Sequence, residues 1–374
     1  MHTGWSSPSA RDVARAVLVP WLLSRFIVIA TLGVTREVVR DLSTLTDPIQ
    51  VGQGLRAWDA AFYADIAGRG YDAVGTDGLR FFPLFPLLAR VVAVIPGVDA
   101  GLAIVLVANA SALALGFVLY RLAWRERHDE RFARRAVWLV YLVPPAFVLV
   151  MGYAEATLML LGAITLLALR RQQWWLAAGA GVLAGGCRPV GLLLAVPAFV
   201  EAIQHRRAMT SREVTARVFA VGAPLAGCFA YLSWAADRTD DFFAPLRIQE
   251  DPTRRGSMRF PVTNITDVYR DFATGDHDTA GLHLLTVVVC IALVVVLARR
   301  WPASYTAYAG VALAVGLSAR NLDSLERYCL STLPFVLALA DVADTDGRER
   351  TLLVLCASGM VAAAVLAFTG SLVP

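Results

Sequence analysis

The chain has 374 residues, of which 57% are hydrophobic and 17% charged, with a mean hydropathy of +0.59. Soluble domains carry about 25% charged residues, and here the apolar residues come in long blocks without alternation, which excludes a soluble globular chain and implies a polytopic membrane protein. The net charge of +4 is carried entirely by arginine, a mild balance that suits anionic lipid and does not point to nucleic acid.

The first apolar run follows Arg11 and Arg15, and no A-x-A-like cleavage site comes after it. It reads as a membrane span over residues 13–34 rather than a signal peptide. Residues 35–97 form a first long polar loop. Within it, the stretch 54–71 reads as an amphipathic helix lying in the membrane interface. Leu55, Trp58, Phe62 and Ile66 share one face at helical spacing, while Arg56, Asp65 and Arg69 lie off it. Asp59 and Tyr63 sit one turn apart on the border, and Gly68 and Gly70 end the helix. The loop closes on Arg80-Phe81-Phe82-Pro83-Leu84-Phe85-Pro86-Leu87-Leu88. Its two prolines are expected to break regular helix in a segment re-entering the interface.

A second span covers 100–124 and runs into Arg121, Arg125, Arg127, Arg131, Arg134 and Arg135. So dense a cluster beside a span marks the cytoplasmic side, which puts the N-terminus inside and the Asp59 loop outside. The apolar blocks 137–169 and 174–203 are each too long for one straight span and are interrupted at Pro144-Pro145 and at Arg188-Pro189. Read as two short spans each, with Arg170-Arg171 and Arg206-Arg207 inside, they bring the total to about eleven, and to about nine if each is a single tilted span. Further spans are expected over 218–236, 281–298, 303–319, 329–343 and 351–370. Arg299-Arg300, Arg348 and Arg350 then fall inside. A second long outer loop, 237–280, carries Asn264-Ile265-Thr266, a sequon by pattern and a chance match by context. Cys187, Cys228, Cys290, Cys329 and Cys356 lack paired spacing and read as small apolar residues in helices. With no internal repeat and no soluble domain, the expected fold is an all-α, polytopic, single membrane domain over residues 1–374, with two large extracytoplasmic loops over one cavity.

Four charged features converge on the outer face in this topology: Asp59, Glu155, Arg188 and the Arg320–Arg327 pair. Ionisable groups beside apolar runs are expensive, so they are functional or paired with one another. For Glu155 pairing alone is as good a reading, and for Arg327 the ordinary alternative is a surface salt bridge to Glu326 or Asp323. A carboxylate can take a proton from a hydroxyl or ligate a metal, and arginines opposite it can hold a phosphate bidentately. Together these fit glycosyl transfer from a lipid phosphate, with Asp59 as base and Arg327 as first choice for the donor phosphate. Arg320 and Arg188 are further candidates for that role. Arginine alone can stabilise a departing phosphate, so no metal and no cofactor is expected. Asp72 and Asp77 could join Asp59 at a metal, but no tight spacing supports it, and His2, His128, His205, His277 and His283 do not gather at the site.

Trp58-Asp59 with Tyr63, Ile66-Ala67 and Gly70-Tyr71, followed by Phe81-Phe82-Pro83-Leu84-Phe85-Pro86-Leu87-Leu88, resembles the signature of the PIG-V mannosyltransferases. Tyr153-Ala154-Glu155-Ala156, Arg188-Pro189-Val190-Gly191 and Arg327-Tyr328 with Pro334 resemble its weaker later motifs. Phe62, Phe85 and Ala156 depart from the usual Trp, Tyr and Ser. The resemblance implies a GT-C fold, a polyprenyl- or dolichyl-phosphate-mannose donor, and inverting transfer with the acid of the first outer loop, here Asp59, as base. Trp58, Tyr63, Tyr71, Glu155 and Tyr328 are the substrate-binding residues expected with it. A glycolipid, glycan or protein would be the acceptor, and another lipid-linked sugar such as arabinofuranose is the nearest variant. The competing readings are a lipid or solute transporter and a non-catalytic subunit of an envelope assembly. Transporters place their key charges at the bilayer midplane and often show repeats, whereas here the charges gather at one face.

Overall fold

A computed structural model describes residues 9–41, 49–204, 209–252, 254–275 and 279–374. Among these the chain is helical, with an isolated bridge between Met258 and Ala319 as its β-type pairing. The first part runs α1 (Ala10–Asp41), α2 (Ile49–Gln53), α3 (Asp59–Arg69), α4 (Leu84–Val92), α5 (Ala100–Arg127), α6 (Glu130–Leu142), α7 (Glu155–Arg170), α8 (Trp174–Cys187) and α9 (Ala195–Gln204). The second runs α10 (Ser211–Thr239), α11 (Ala244–Arg247), α12 (Pro261–Thr274), α13 (Ala280–Arg300), α14 (Ala303–Leu317), α15 (Leu325–Ser331), α16 (Leu333–Val342) and α17 (Asp346–Phe368). Five of them, α1, α5, α10, α13 and α17, are long and apolar enough to cross a membrane. The protein is thus an all-α polytopic membrane protein. Arg206, Arg207, His2, His205 and His277 lie outside the described residues.

Both long apolar blocks are broken where the prolines sit. A tight turn over Pro144–Leu149 separates α6 from α7, and another over Pro189–Leu194 separates α8 from α9. The first break leaves carbonyls without helical partners, and two polar residues of neighbouring helices take them up. Arg25 of α1 donates to the Leu149 carbonyl at 3.0 Å, and Asn109 of α5 donates to that of Val150 at 3.0 Å. Asn109 in turn accepts from Arg25 Nε at 2.9 Å. This pair, buried Arg25 with partly buried Asn109 and invisible as a pattern in the sequence, fixes the turn on which the site is built.

Small residues let α8 and α10 approach closely. A Cβ at Gly185 would run into the Pro224 carbonyl, and one at Gly227 into that of Val182. The five cysteines are buried and unpaired, as read from their scatter. Asn264 is also buried, and its amide donates to the Leu317 and Ala319 carbonyls at 2.7 and 2.6 Å, which accounts for it structurally.

Two local expectations are corrected. The Pro83–Pro86 segment is a regular helix, because Pro83 precedes it and Pro86 falls in its first turn, where no N–H is needed. The Asp59 helix begins only at Asp59, so Leu55 and Trp58 are not on it. Its buried face runs through Ala60, Tyr63, Ile66 and Ala67 rather than Leu55, Trp58, Phe62 and Ile66. Burial is set by α4 and α5, which pack against α3 from that side. Tyr63 is accordingly a core residue, edge-on to Phe81 and Phe85 with ring centroids 4.9 Å away in each case.

Candidate functional site

Asp59 owes its position to the residue before it. Trp58 has φ +60°, a left-handed conformation that costs a non-glycine residue of order 1–3 kcal/mol and persists only where neighbours enforce it. Here its indole N–H donates to the Ala367 carbonyl at the end of α17, at 3.0 Å. The backbone then turns into α3 with Asp59 as its first residue, so the carboxylate sits at the positive end of the helix dipole. At the other end, Arg90 donates to the Ile66 and Ala67 carbonyls, both at 2.9 Å, and closes α3.

Of the charged residues expected from the sequence, Asp59, Glu155, Arg188 and Arg327 meet, and Arg320 does not join them. Arg327 Nη1 donates to Asp59 Oδ2 at 2.7 Å, and Nη2 to Ser324 Oγ at 3.1 Å. Its Nε lies 3.2 Å from Glu155 Oε1, an ion pair without hydrogen-bond geometry. Arg188 Nη1 donates to the same Glu155 oxygen. The Glu155 side chain is fully buried and that of Arg327 is 8% exposed, but Asp59 keeps 21% exposure and is the member open to a ligand. The salt-bridge partners of Arg327 are therefore Asp59 and Glu155, not Glu326 or Asp323. Glu326 is instead held by His283 Nδ1 at 2.8 Å, and Asp323 by the Asn321 amide at 2.9 Å. Chain folding, not sequence proximity, selected the partners.

Two further arginines close the site, and sequence reading gave neither a role. Arg80 stacks on Phe81 and Phe62, 4.6 and 5.1 Å from their ring centres, and its Nε is buried without an acceptor. Arg255 lies 4.3 Å above the ring of Tyr328, and its Nε is likewise buried without an acceptor. The turn holding Arg255 is tight: its N–H donates to the Gln249 carbonyl, Gly256 follows at φ +66°, and the Arg255 carbonyl accepts from Asn321 at 2.9 Å. Arg254-Arg255 is an unremarkable basic pair in the linear chain, so only the folded turn singles it out.

These arginines set the protonation of the site. Burial alone would raise the Asp59 carboxyl, but Arg327, Arg80 and Arg188 outweigh it and hold it below the usual carboxylate range. Burial also pushes the Tyr328 phenol up, but Arg255, Arg188 and Arg327 outweigh it and bring it down to about 8. Four arginines (80, 188, 255 and 327) thus face two carboxylates (59 and 155), a surplus of two positive charges in a largely buried site. Arg80 and Arg255 keep partial contact with water, so such a surplus is tolerated, but it favours a bound anion.

The remaining expected residues lie elsewhere. Trp58 flanks Asp59 as an anchor, while Tyr71 pins the first loop by donating to the Phe81 carbonyl at 2.6 Å and packing on Trp234. Arg320 is exposed beside Gly256, with no contact to the carboxylates. Asp72 and Asp77 pair with Arg238 and Arg254, each at 2.7 Å, and tie the two long loops together. Among the described residues no cluster of three or more His, Cys, Asp or Glu could hold a metal ion.

The model of glycosyltransferase family 87 matches residues 83–322, more than half of the sequence. The chain belongs to glycosyltransferase family 87. Glu155, Arg188, Arg255 and Arg320 fall within the matched stretch of this family 87 member, whereas Asp59 precedes it and Arg327 and Tyr328 follow it. No curated protein matches the sequence significantly. Among solved structures, an oligosaccharyltransferase from Archaeoglobus fulgidus, in complex with zinc and sulfate, superposes with a TM-score of 0.41 and 13% identity. The superposition covers 78% of this chain and 44% of that one, so the family 87 chain spans less than half the length of that protein. Family and helices together make the protein a multi-pass membrane member of glycosyltransferase family 87.

Proposed function

We propose that the protein is an inverting glycosyltransferase that moves a sugar, mannose by its PIG-V-like motifs, from a polyprenyl-phosphate donor to a glycolipid, glycan or protein acceptor. The observation that carries this reading is an ionised, partly exposed Asp59 inside a site with two positive charges to spare. A sugar phosphodiester brings one negative charge. When its C1–O bond breaks, the electron pair stays on the phosphate oxygen, and the released monoester carries nearly two charges at neutral pH, its second pKa being about 6. The arginine surplus therefore matches the products' side of the reaction better than the ground state, which is the condition for lowering the barrier.

The acceptor hydroxyl attacks C1 from the face opposite the leaving phosphate, and its proton passes to Asp59. Because Arg327 keeps Asp59 ionised, the base is always in its working form. Its low basicity is no obstacle: as the new C–O bond forms, the acceptor oxygen becomes cationic and strongly acidic. Arg327 and Arg188 supply positive charge facing the phosphate, and Glu155 holds both arginines in place. The sidedness follows from the arginine-rich loops, so the site faces away from the cytoplasm. A cysteine placed at Thr76 is then expected to react with an impermeant thiol reagent in intact cells, and labelling only after lysis would reverse the orientation.

The test of the chemistry is Asp59→Asn, assayed by release of polyprenyl phosphate from a labelled donor. The amide keeps the shape but accepts no proton, so turnover is expected to fall about 10²–10⁴-fold with the fold intact. Retention of activity within a few-fold of wild type would remove Asp59 from the base role.

A further inference from the structure

Among the described residues, those other than glycine with a positive φ fall into two groups. His128, Gln172 and Asp240 lie at or just past the C-terminal ends of α5, α7 and α10, where a left-handed residue is an ordinary way to stop a helix. Trp58, at φ +60°, and Ser324, at φ +70°, instead stand immediately before α3 and α15. That position normally has extended backbone, and a serine there normally accepts a hydrogen bond from the helix it opens. The Ser324 hydroxyl forgoes that bond. It accepts from Arg327 Nη2 at 3.1 Å and donates its one hydrogen to the main-chain oxygen of Pro374 at 2.6 Å. The Trp58 indole N–H likewise leaves its own helix and ends on the Ala367 carbonyl at 3.0 Å. Both strained residues therefore hold on to one segment, the end of α17 and the residues after it. That segment is itself fixed. Gly370 turns the chain at φ +83°, the N–H groups of Ser371 and Leu372 donate back to the Leu366 carbonyl at 2.8 and 3.1 Å, and Ala367, Phe368 and Leu372 are buried.

We propose that residues 367–374 form a positioning clamp for the reacting pair, acting through Trp58 on Asp59 and through Ser324 on Arg327. This rests on the base role argued above for Asp59. The two charged residues are 268 positions apart in the chain, so nothing local keeps them at 2.7 Å. Each is instead tied to the same segment by one side-chain hydrogen bond. Trp58 directly precedes Asp59, so any swing of its backbone moves the carboxylate. Ser324 holds the guanidinium itself: it takes Nη2, while Nη1 meets Asp59 and Nε lies beside Glu155. A left-handed residue kept in place by remote contacts relaxes when those contacts go. The carboxylate and its arginine then shift relative to the acceptor hydroxyl, and a misplacement of about 1 Å can cost about 10²-fold in rate. Trp58 and Ser324 are thus positioning residues, and the unusual backbone before α3 and α15 is what the clamp maintains.

The experiment measures kcat and donor KM for polyprenyl phosphate release by the full-length protein carrying Ser324→Ala, Ser324→Gly, Ser324→Asn or Trp58→Phe. Ser324→Ala is also measured in an Asp59→Asn background. Alanine and glycine both lose the two hydroxyl contacts, and glycine does so without backbone strain, so each is expected to lower kcat about tenfold with donor KM little changed. Asparagine tolerates the left-handed conformation and offers an acceptor to Arg327 and a donor to Pro374, so Ser324→Asn should recover most of kcat. Trp58→Phe keeps an aromatic ring and removes the N–H, and it should lower kcat severalfold. In Asp59→Asn the Ser324→Ala change should cost no further turnover, because the clamp acts through the base it positions. Wild-type kcat in either Ser324→Gly or Trp58→Phe, with Asp59→Asn inactive, would overturn the clamp and leave the base role standing. An equal loss for Ser324→Ala with and without Asp59→Asn would also overturn it, since that is the mark of a merely structural contact. Asp59→Asn active within a few-fold of wild type would overturn the base role and the clamp together.

Discussion

The two ends of the helix bundle use the same residue types to opposite effect. At the end away from Asp59, Arg127, Arg135, Arg170 and Arg300 are drawn into ion pairs between helices. They meet four carboxylates: Asp341 at 2.9 Å from Arg127, Glu349 at 3.1 Å from Arg135, and Glu126 and Glu201 at 2.8 and 3.1 Å from Arg170. Arg300 shares Asp341, and Ser304 donates to Glu201 at 2.6 Å. Within this network four arginines meet four carboxylates, and it staples α5, α6, α7, α9, α13, α14, α16 and α17 together. At the Asp59 end Arg327 and Arg188 take up the two carboxylates, and Arg80 and Arg255 add their charge from aromatic rings beside them. A matched network is complete in itself, whereas an unmatched one is incomplete until an anion arrives. The difference between staple and site is the stoichiometry of charge, not the presence of charge.

The largest expected contrast is in turnover. Asp59→Asn should lower it about 10²–10⁴-fold, while Glu349→Gln, which removes a carboxylate from the matched end, should leave it unchanged. Equal losses would mean that both acids act through folding. Next comes stability. Arg327→Ala leaves Asp59 without its ion-pair partner and Glu155 with Arg188 alone, and is expected to cost about 3 kcal/mol in unfolding free energy, whereas Arg300→Ala, half exposed, should cost no more than about 1 kcal/mol. Denaturation of the two purified variants measures this directly. Arg327→Lys sharpens the point, since lysine keeps the charge but cannot reach Asp59, Ser324 and Glu155 together, so turnover should fall even where the fold survives.

A smaller effect is expected in pH dependence. Tyr328 faces Arg255, Arg188, Arg327 and Asp59, and it loses its proton at about 8. Above that pH the phenolate cancels one of the surplus charges, so the donor KM should rise several-fold while kcat changes less. In Tyr328→Phe the rise should vanish, and an unaltered profile would take Tyr328 out of the phosphate end. Asp59, held below the usual range, should add no acid limb across the neutral region. The smallest expected effect is that of EDTA. With arginine supplying the positive charge, chelation is expected to leave turnover unchanged, and a loss restored by magnesium or manganese would show that a metal shares the work.

The sequence alone determined the membrane-embedded helical class, the breaks at Pro144-Pro145 and Arg188-Pro189, and the small set of charges worth watching. These follow from local rules: apolar length, proline geometry and the cost of a charge beside lipid act on residues near one another in the chain. Asp59, Glu155, Arg188 and Arg327 were legible for that reason. Which acid each arginine would take was not, because 268 residues separate Arg327 from Asp59 and only packing brings them to 2.7 Å. The inward face of α3 was misjudged for the same cause: the helix turns toward whatever α4 and α5 offer, and hydrophobic spacing across Leu55 and Trp58 counted residues that are not in the helix. Arg25 with Asn109, and Arg80 with Arg255, lay hidden among thirty-odd other basic or polar residues of identical type. Their roles rest on freed carbonyls and on an uncompensated charge, and those are properties of a place in the fold, not of a position in the chain.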